Sequence, residues 1–260
     1  MRAPRTLTTL DEVDIGDHVC QVMDSTDDVI DRSRAFLADG ALHGDKVVIV
    51  GSALRTVSEF AQLVLDPARL DGSLLAAVRR EAASAGREGF RSLRVLRHVR
   101  PGCREERTGE LLRSELELEE FAADTGALVV CAYSGAAGDQ TTLQQIGCVH
   151  PHHLGSRPAS PAFQVYRAGQ NGWKVDGTVD SDGAALFRTI LCTLLGQTVT
   201  VRLLCHALEF FDAAGMSALA DAARHLPDRK VILEGTNETV RLAWELSGFA
   251  VPDIPVVMAP

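Results

Sequence analysis

Four short, almost unbroken apolar runs punctuate the chain: Lys46-Val47-Val48-Ile49-Val50, Ala127-Leu128-Val129-Val130-Cys131-Ala132-Tyr133, Thr198-Val199-Thr200-Val201-Arg202-Leu203-Leu204 and Val231-Ile232-Leu233. Between them lie segments whose apolar residues recur at helical spacing, such as Met216, Leu219, Ala220, Ala223 and Leu226. A strand with one wet face alternates polar and apolar residues; a continuous apolar run implies that both faces are covered, which happens where helices cross over a parallel sheet. Alternating strand and helix signals therefore restrict the chain to the α/β class.

At 260 residues the chain exceeds a usual single domain, since about 100 to 200 residues per domain is typical, and two domains are expected. The stretch from Pro151 to Pro161 holds three prolines, two histidines and small polar residues without apolar periodicity, so it reads as a linker between domains at 1–155 and 162–260. In the first domain, helices are expected over Val29–Leu42, Leu54–Leu65, Pro67–Ala85, Thr108–Ala123 and Thr141–Cys148, with strands at Lys46–Val50, Leu93–Leu96 and Ala127–Tyr133. In the second, Gly172–Val179 reads as a strand, Phe187 to Leu195 as a helix ended by Gly196, and Asn237 to Leu246 as a helix capped by Thr236 or Asn237.

A net charge of −9 repels a phosphate backbone, which disfavours direct binding to DNA. No apolar run reaches the roughly 20 residues that span a bilayer, and Met1 to Thr6 leads into no continuous hydrophobic segment, so a cytoplasmic protein without membrane attachment is expected. The six cysteines form no C-x-x-C pair and lie mostly in apolar runs, as reduced buried thiols would. No nucleophile elbow is present, and the turn Gly51-Ser52-Ala53-Leu54-Arg55-Thr56 lacks the Gly-Lys-Ser/Thr that cradles nucleotide phosphates; its Ser52 reads as a helix cap. Glu115, Glu117, Glu119 and Glu120 read as the solvated face of a helix. No catalysis and no cofactor are expected.

Two places carry candidate function. The first is the turn Asp212-Ala213-Ala214-Gly215-Met216, where an apolar strand ending at Phe211 runs directly into a helix that Asp212 can cap. The second is a set of residues on strands and strand ends: His18, Cys20, Cys131, Tyr133 and His150. His18 and Cys20 alternate along one strand and share a face, and Cys131, Cys148 and His150 converge on them if the strand ends cluster. A soft metal site is conceivable from such donors, but paired ligands at short fixed spacing are missing, so core thiols and no metal are the expectation. His150, His152 and His153 also form a small cluster in the linker that reads as solvated loop residues, with a pH- or metal-responsive hinge as the alternative.

Val199–Leu204, the turn at 208–216 and Lys230-Val231-Ile232-Leu233-Glu234-Gly235-Thr236-Asn237 together resemble the STAS domain of anti-sigma factor antagonists. In that family a Ser or Thr usually stands where this chain has Ala214. The resemblance implies a partner-binding surface at Asp212, Ala213, Ala214, Gly215 and Met216 for a serine-kinase-like anti-sigma factor, without a hydroxyl to phosphorylate; Ser217 lies off the motif. The N-terminal part resembles the MEDS sensory domain, a RecA-like α/β module, in Gly16-Asp17-His18-Val19-Cys20, Phe36-Leu37-Ala38-Asp39-Gly40, Gly44-Asp45-Lys46-Val47-Val48, Cys131-Ala132-Tyr133 and His150-Pro151, and departs from it at Met23. That resemblance implies a small-molecule ligand. The expected layout is a RecA-like α/β sensory domain followed by a STAS-like α/β domain, in a non-enzymatic regulator of transcription. The alternative is a small-molecule receptor whose C-terminal domain only forms a homodimer or docks into an assembly.

Overall fold

The structure is a computed structural model that describes residues 4–23, 28–51, 59–100, 108–134, 140–155, 161–169 and 172–259. The chain divides into two compact units, Arg2–Ser160 and Pro161–Pro260.

The N-terminal unit is built on a seven-stranded sheet. Its strands are β1 (Arg5–Leu7), β2 (His18–Met23), β3 (Lys46–Val50), β4 (Leu63–Leu65), β5 (Leu93–Val99), β6 (Leu128–Ser134) and β7 (His152–Leu154). They lie in the order β1-β7-β2-β6-β5-β3-β4, and each neighbouring pair is parallel. The helices are α1 (Val29–Arg32), α2 (Arg34–His43), α3 (Leu74–Glu88), α4 (Thr108–Thr125) and α5 (Gln140–Val149). Two apolar cores flank the sheet. One gathers Val48, Val95, Val129 and Cys131 with Leu111, Leu118 and Phe121 of α4; the other gathers Val19, Val47, Ile49 and Val130 with Phe36 and Leu37 of α2. Successive residues of β2, β3 and β6 thus feed opposite cores, which is why their runs are apolar without alternation.

Three expectations fail here. Leu63–Leu65 is not helical but pairs with β3 (Val48 opposite Leu63), since three apolar residues carry no period to separate strand from helix. The helix expected from Pro67 begins only at Leu74: Pro67–Arg69 is a 3₁₀ turn, and Ser73 opens α3 by accepting a hydrogen bond from the Ala76 amide at 3.1 Å. The stretch after Pro151 is not all linker, because β7 inserts between β1 and β2 and buries both of its histidines. Ser52 to Thr56, and the linker residues Ser156 to Ser160, lie outside the described residues.

The C-terminal unit holds β8 (Phe163–Arg167), β9 (Trp173–Val179), α6 (Ala184–Gln197), β10 (Thr200–Phe211), α7 (Ala213–His225), β11 (Lys230–Glu234), α8 (Glu238–Leu246) and β12 (Val256–Met258). Its sheet runs β12-β11-β10-β9-β8, with β8 antiparallel to β9 and the remaining pairs parallel. Asn237 is the residue that caps α8, accepting from the Val240 amide at 2.9 Å. β8 and β12 are edge strands that the sequence reading passed over, because each is too short to show a period of its own.

Candidate functional site

β2 and β6 are neighbours, with Cys20 opposite Cys131, and Arg97 of β5 stands opposite Cys131 on its other side. Strand alternation turns His18, Cys20, Cys131, Tyr133 and Arg97 to the face that α4 covers. On α4, Glu115 falls four residues after Leu111 and three before Leu118, so helical spacing places it in the buried row. Glu119, one turn further, points the same way. His150 enters from the end of α5.

These side chains form one buried polar cluster. His18 Nε2 lies 3.4 Å from Cys131 Sγ and 3.3 Å from Glu115 Oε2. His150 Nε2 is also 3.3 Å from Glu115 Oε2, and the Cys131 thiol reaches the same oxygen at 3.3 Å. The other oxygen of Glu115 is gripped by Arg97 Nη1. Behind the two imidazoles, Glu119 Oε2 stands 3.2 Å from His18 Nδ1, and His150 Nδ1 donates to the Ile146 carbonyl at 2.7 Å. The rings of His18 and His150 sit 4.1 Å apart, and Tyr133 meets His150 edge-on at 5.8 Å. The Tyr133 hydroxyl is buried and makes no hydrogen bond among the described residues.

Burial by itself disfavours every charge here, and the neighbours decide which survive. For Glu115, burial pushes the carboxyl up, but the Arg97 charge and the two histidines outweigh it and hold it well below its ordinary value. For His18, burial pushes down, and Cys131, Glu115 and Glu119 together raise it well above 6.5. His150 is lowered, by burial and then by the charge on His18. Burial and the Glu115 charge raise both the Cys131 thiol and the Tyr133 phenol. Burial thus works against the ionised forms throughout the cluster, and for Glu115 and His18 the ion pairs outweigh it.

Of the residues singled out in the sequence, His18, Cys131 and His150 meet directly, and Tyr133 touches the rim. Cys20 borders Cys131 across the strands, whereas Cys148 stays outside the cluster, a buried thiol pushed up to about 12 by desolvation. Glu115 and Glu119 correct the expectation of a solvated face: they are 0% and 4% exposed. Their placement was foreshadowed by their register with Leu111 and Leu118. His150, His152 and His153 are likewise buried rather than solvated, and His152 Nε2 approaches Asp17 Oδ1 at 3.3 Å.

In the C-terminal unit, Asp212 caps α7 by accepting from the Gly215 amide at 2.8 Å. Ala213 is exposed and Ala214 half-buried, while Gly215 and Met216 face inward, Met216 being 2% exposed. The surface of the turn is therefore Asp212, Ala213 and Ala214; Gly215 and Met216 anchor it from below.

No curated protein matches the chain. The solved structures similar to part of it include the following two. One is the anti-sigma factor antagonist SpoIIAA in its unphosphorylated form, 20% identical, covering 38% of this chain and 88% of its own, with a TM-score of 0.30. The other is the Bacillus cell fate determinant SpoIIAA in the phosphorylated form, 21% identical, covering 38% of this chain and 92% of its own, with a TM-score of 0.29. The family model of the MEDS domain, the methanogen/methylotroph, DcmR sensory domain, matches residues 17–151 and so encloses β2 to α5 and the whole buried cluster. The chain belongs to the MEDS family.

Proposed function

We propose that this protein is a non-enzymatic signalling protein in which the MEDS unit receives a small-molecule input and the C-terminal unit docks onto an anti-sigma factor of the serine-kinase type, regulating transcription. The observation that carries the docking reading is the first turn of α7. Its N-terminus offers an exposed methyl at Ala213 and a half-buried one at Ala214, beside the carboxylate of Asp212. In the STAS family that the C-terminal sequence resembles, a phosphorylatable hydroxyl usually stands where this chain has Ala214, and phosphate placed on an apolar contact adds nearly two negative charges that expel the partner. A methyl group accepts no phosphate, so the contact stays adhesive. Control then comes from the N-terminal unit and not from a covalent mark.

A kinase-type partner recovered with the full chain, mixed with ATP, tests this. The wild-type chain is expected to form a stable complex and incorporate no phosphate at the turn. Ala214→Ser restores the hydroxyl at the second residue of α7, and phosphate should then appear at position 214 with release of the complex. If Ala214→Ser takes up no phosphate and Ala214→Asp binds the partner as well as wild type, the turn is not the contact.

A further inference from the structure

We propose that His18, Glu115, Cys131 and His150 form a zinc(II) site inside the MEDS unit. One ligand atom from each of the four lies within 4.8 Å of the others, and all four residues are buried. A tetrahedral zinc ion takes ligands at about 2.0 to 2.2 Å for nitrogen and oxygen and about 2.3 Å for sulfur, which sets ligand-to-ligand edges of roughly 3.3 to 3.6 Å. Four of the six edges are already there: His18 to Cys131 at 3.4 Å, and His18, His150 and Cys131 to Glu115 Oε2 at 3.3 Å each.

The outward-facing nitrogens of the two histidines fix how their rings are turned. The Ile146 carbonyl can only accept, so His150 carries a proton on Nδ1, and Nε2 is the nitrogen that faces the carboxylate oxygen of Glu115. Both histidines are also held from behind as metal-bound histidines are, His18 by a carboxylate and His150 by a backbone carbonyl, each on the nitrogen that faces away from the centre. Charge balances as well: a divalent ion and Arg97 offset Glu115, Glu119 and a Cys131 thiolate, and a thiol that coordinates zinc is deprotonated outright. Two imidazoles, a thiolate and a carboxylate suit a borderline ion. With four protein ligands and no exposed face, the site is closed in the manner of a structural zinc centre and not an open catalytic one. This inference stands on the N-terminal geometry alone, so it can fail while the docking reading holds, and the reverse.

Cobalt(II) serves as a visible stand-in for zinc. The full chain is stripped with a chelator, refolded from denaturant with excess cobalt(II) so that burial cannot block loading, and compared with protein whose metal content is measured as purified. The expected result is one equivalent of zinc per chain, and for the cobalt form a thiolate-to-metal charge-transfer band with the intense visible bands of tetrahedral coordination. Cys131→Ser should abolish the charge-transfer band, while Cys20→Ser and Cys148→Ser keep it, with far-ultraviolet circular dichroism reporting that each variant folds. Glu119 acts through His18 as a positioning residue: Glu119→Gln should retain the band but weaken zinc binding about 10- to 100-fold. A wild-type chain that takes up neither ion after refolding, or a cobalt form without a thiolate band, overturns the proposal; so does a band that survives Cys131→Ser and disappears with Cys148→Ser.

Discussion

Asp45 shows how much one buried side chain can hold. Its carboxylate is fully enclosed and accepts from Arg91 at both oxygens at 2.8 Å and from Arg94 Nε at 2.7 Å. Arg94 also donates to the Phe36 carbonyl at 2.9 Å and lies over the Phe36 ring at 5.0 Å. The arrangement ties the end of α2 to β5. Burial pushes the Asp45 carboxyl up, but the hydrogen bonds and charges of the two arginines outweigh it and lower the value below 3.8. A depressed carboxylate contributes stability that is complete above its unfolded value and lost as pH falls through the folded one. Asp45→Asn leaves the Arg94 charge buried without its counter-ion, and a loss of about 3 to 5 kcal/mol near neutral pH is expected from urea unfolding. The gap between wild type and Asp45→Asn should narrow as the pH falls below 3.8, because the carboxyl is then protonated in the unfolded wild-type chain while the folded one stays ionised to a lower pH. A gap that stays constant into that acid range would mean the pair contributes nothing through charge.

Among the elements, the turn from β10 into α7 depends on Gly215. A methyl at that position would meet the Phe211 ring at 2.6 Å and the Val179 carbonyl oxygen at 2.9 Å, closer than carbon atoms pack. The backbone oxygen has little room to retreat, since Val179 is bound into β9 opposite Phe211 and accepts from the Asp212 amide at 3.2 Å. Gly215→Ala is therefore expected to cost about 1 to 3 kcal/mol through overpacking, although alanine is the better helix former. Ala214→Asp is the contrasting case: it places a carboxylate at the second position of the same helix, where the dipole favours it by about 0.3 to 1 kcal/mol. Its melting temperature should match or exceed that of wild type while the partner complex weakens by at least about 1 kcal/mol, measured by calorimetry. Much of this element was readable in the sequence, because strand, cap and helix period are local signals. β7 and β4 were not, since a three-residue strand is defined only by the neighbours it pairs with. The cluster fell between: His18, Cys131 and His150 could be gathered from strand ends, but Glu115 and Glu119 sit in a run of alternating Glu and Leu that looks solvated until the row Leu111, Glu115, Leu118, Ala122 is followed along the helix.

At the scale of the whole molecule, two compact units in one chain constitute a signalling device only if binding to one changes binding to the other. Linkage makes that requirement symmetric: whatever factor the ion in the MEDS unit applies to partner affinity, the partner must apply to ion affinity. The buried cluster is well placed for an all-or-none response, because its residues come from β2, α4, β6 and the end of α5, and losing the cation would release ligands from all four at once. Coupling of at least about 1 kcal/mol, roughly a fivefold change, is expected in the partner's dissociation constant when the full chain is stripped of zinc, with the same factor in zinc affinity when the partner is added. Titrating each in the presence and absence of the other by calorimetry closes the cycle. Equal partner affinities in zinc-loaded and stripped protein would confine the ion to holding the MEDS unit together and leave the input to another ligand, whereas unequal factors on the two sides of the cycle would show that one leg was not at equilibrium, as when stripped protein unfolds irreversibly.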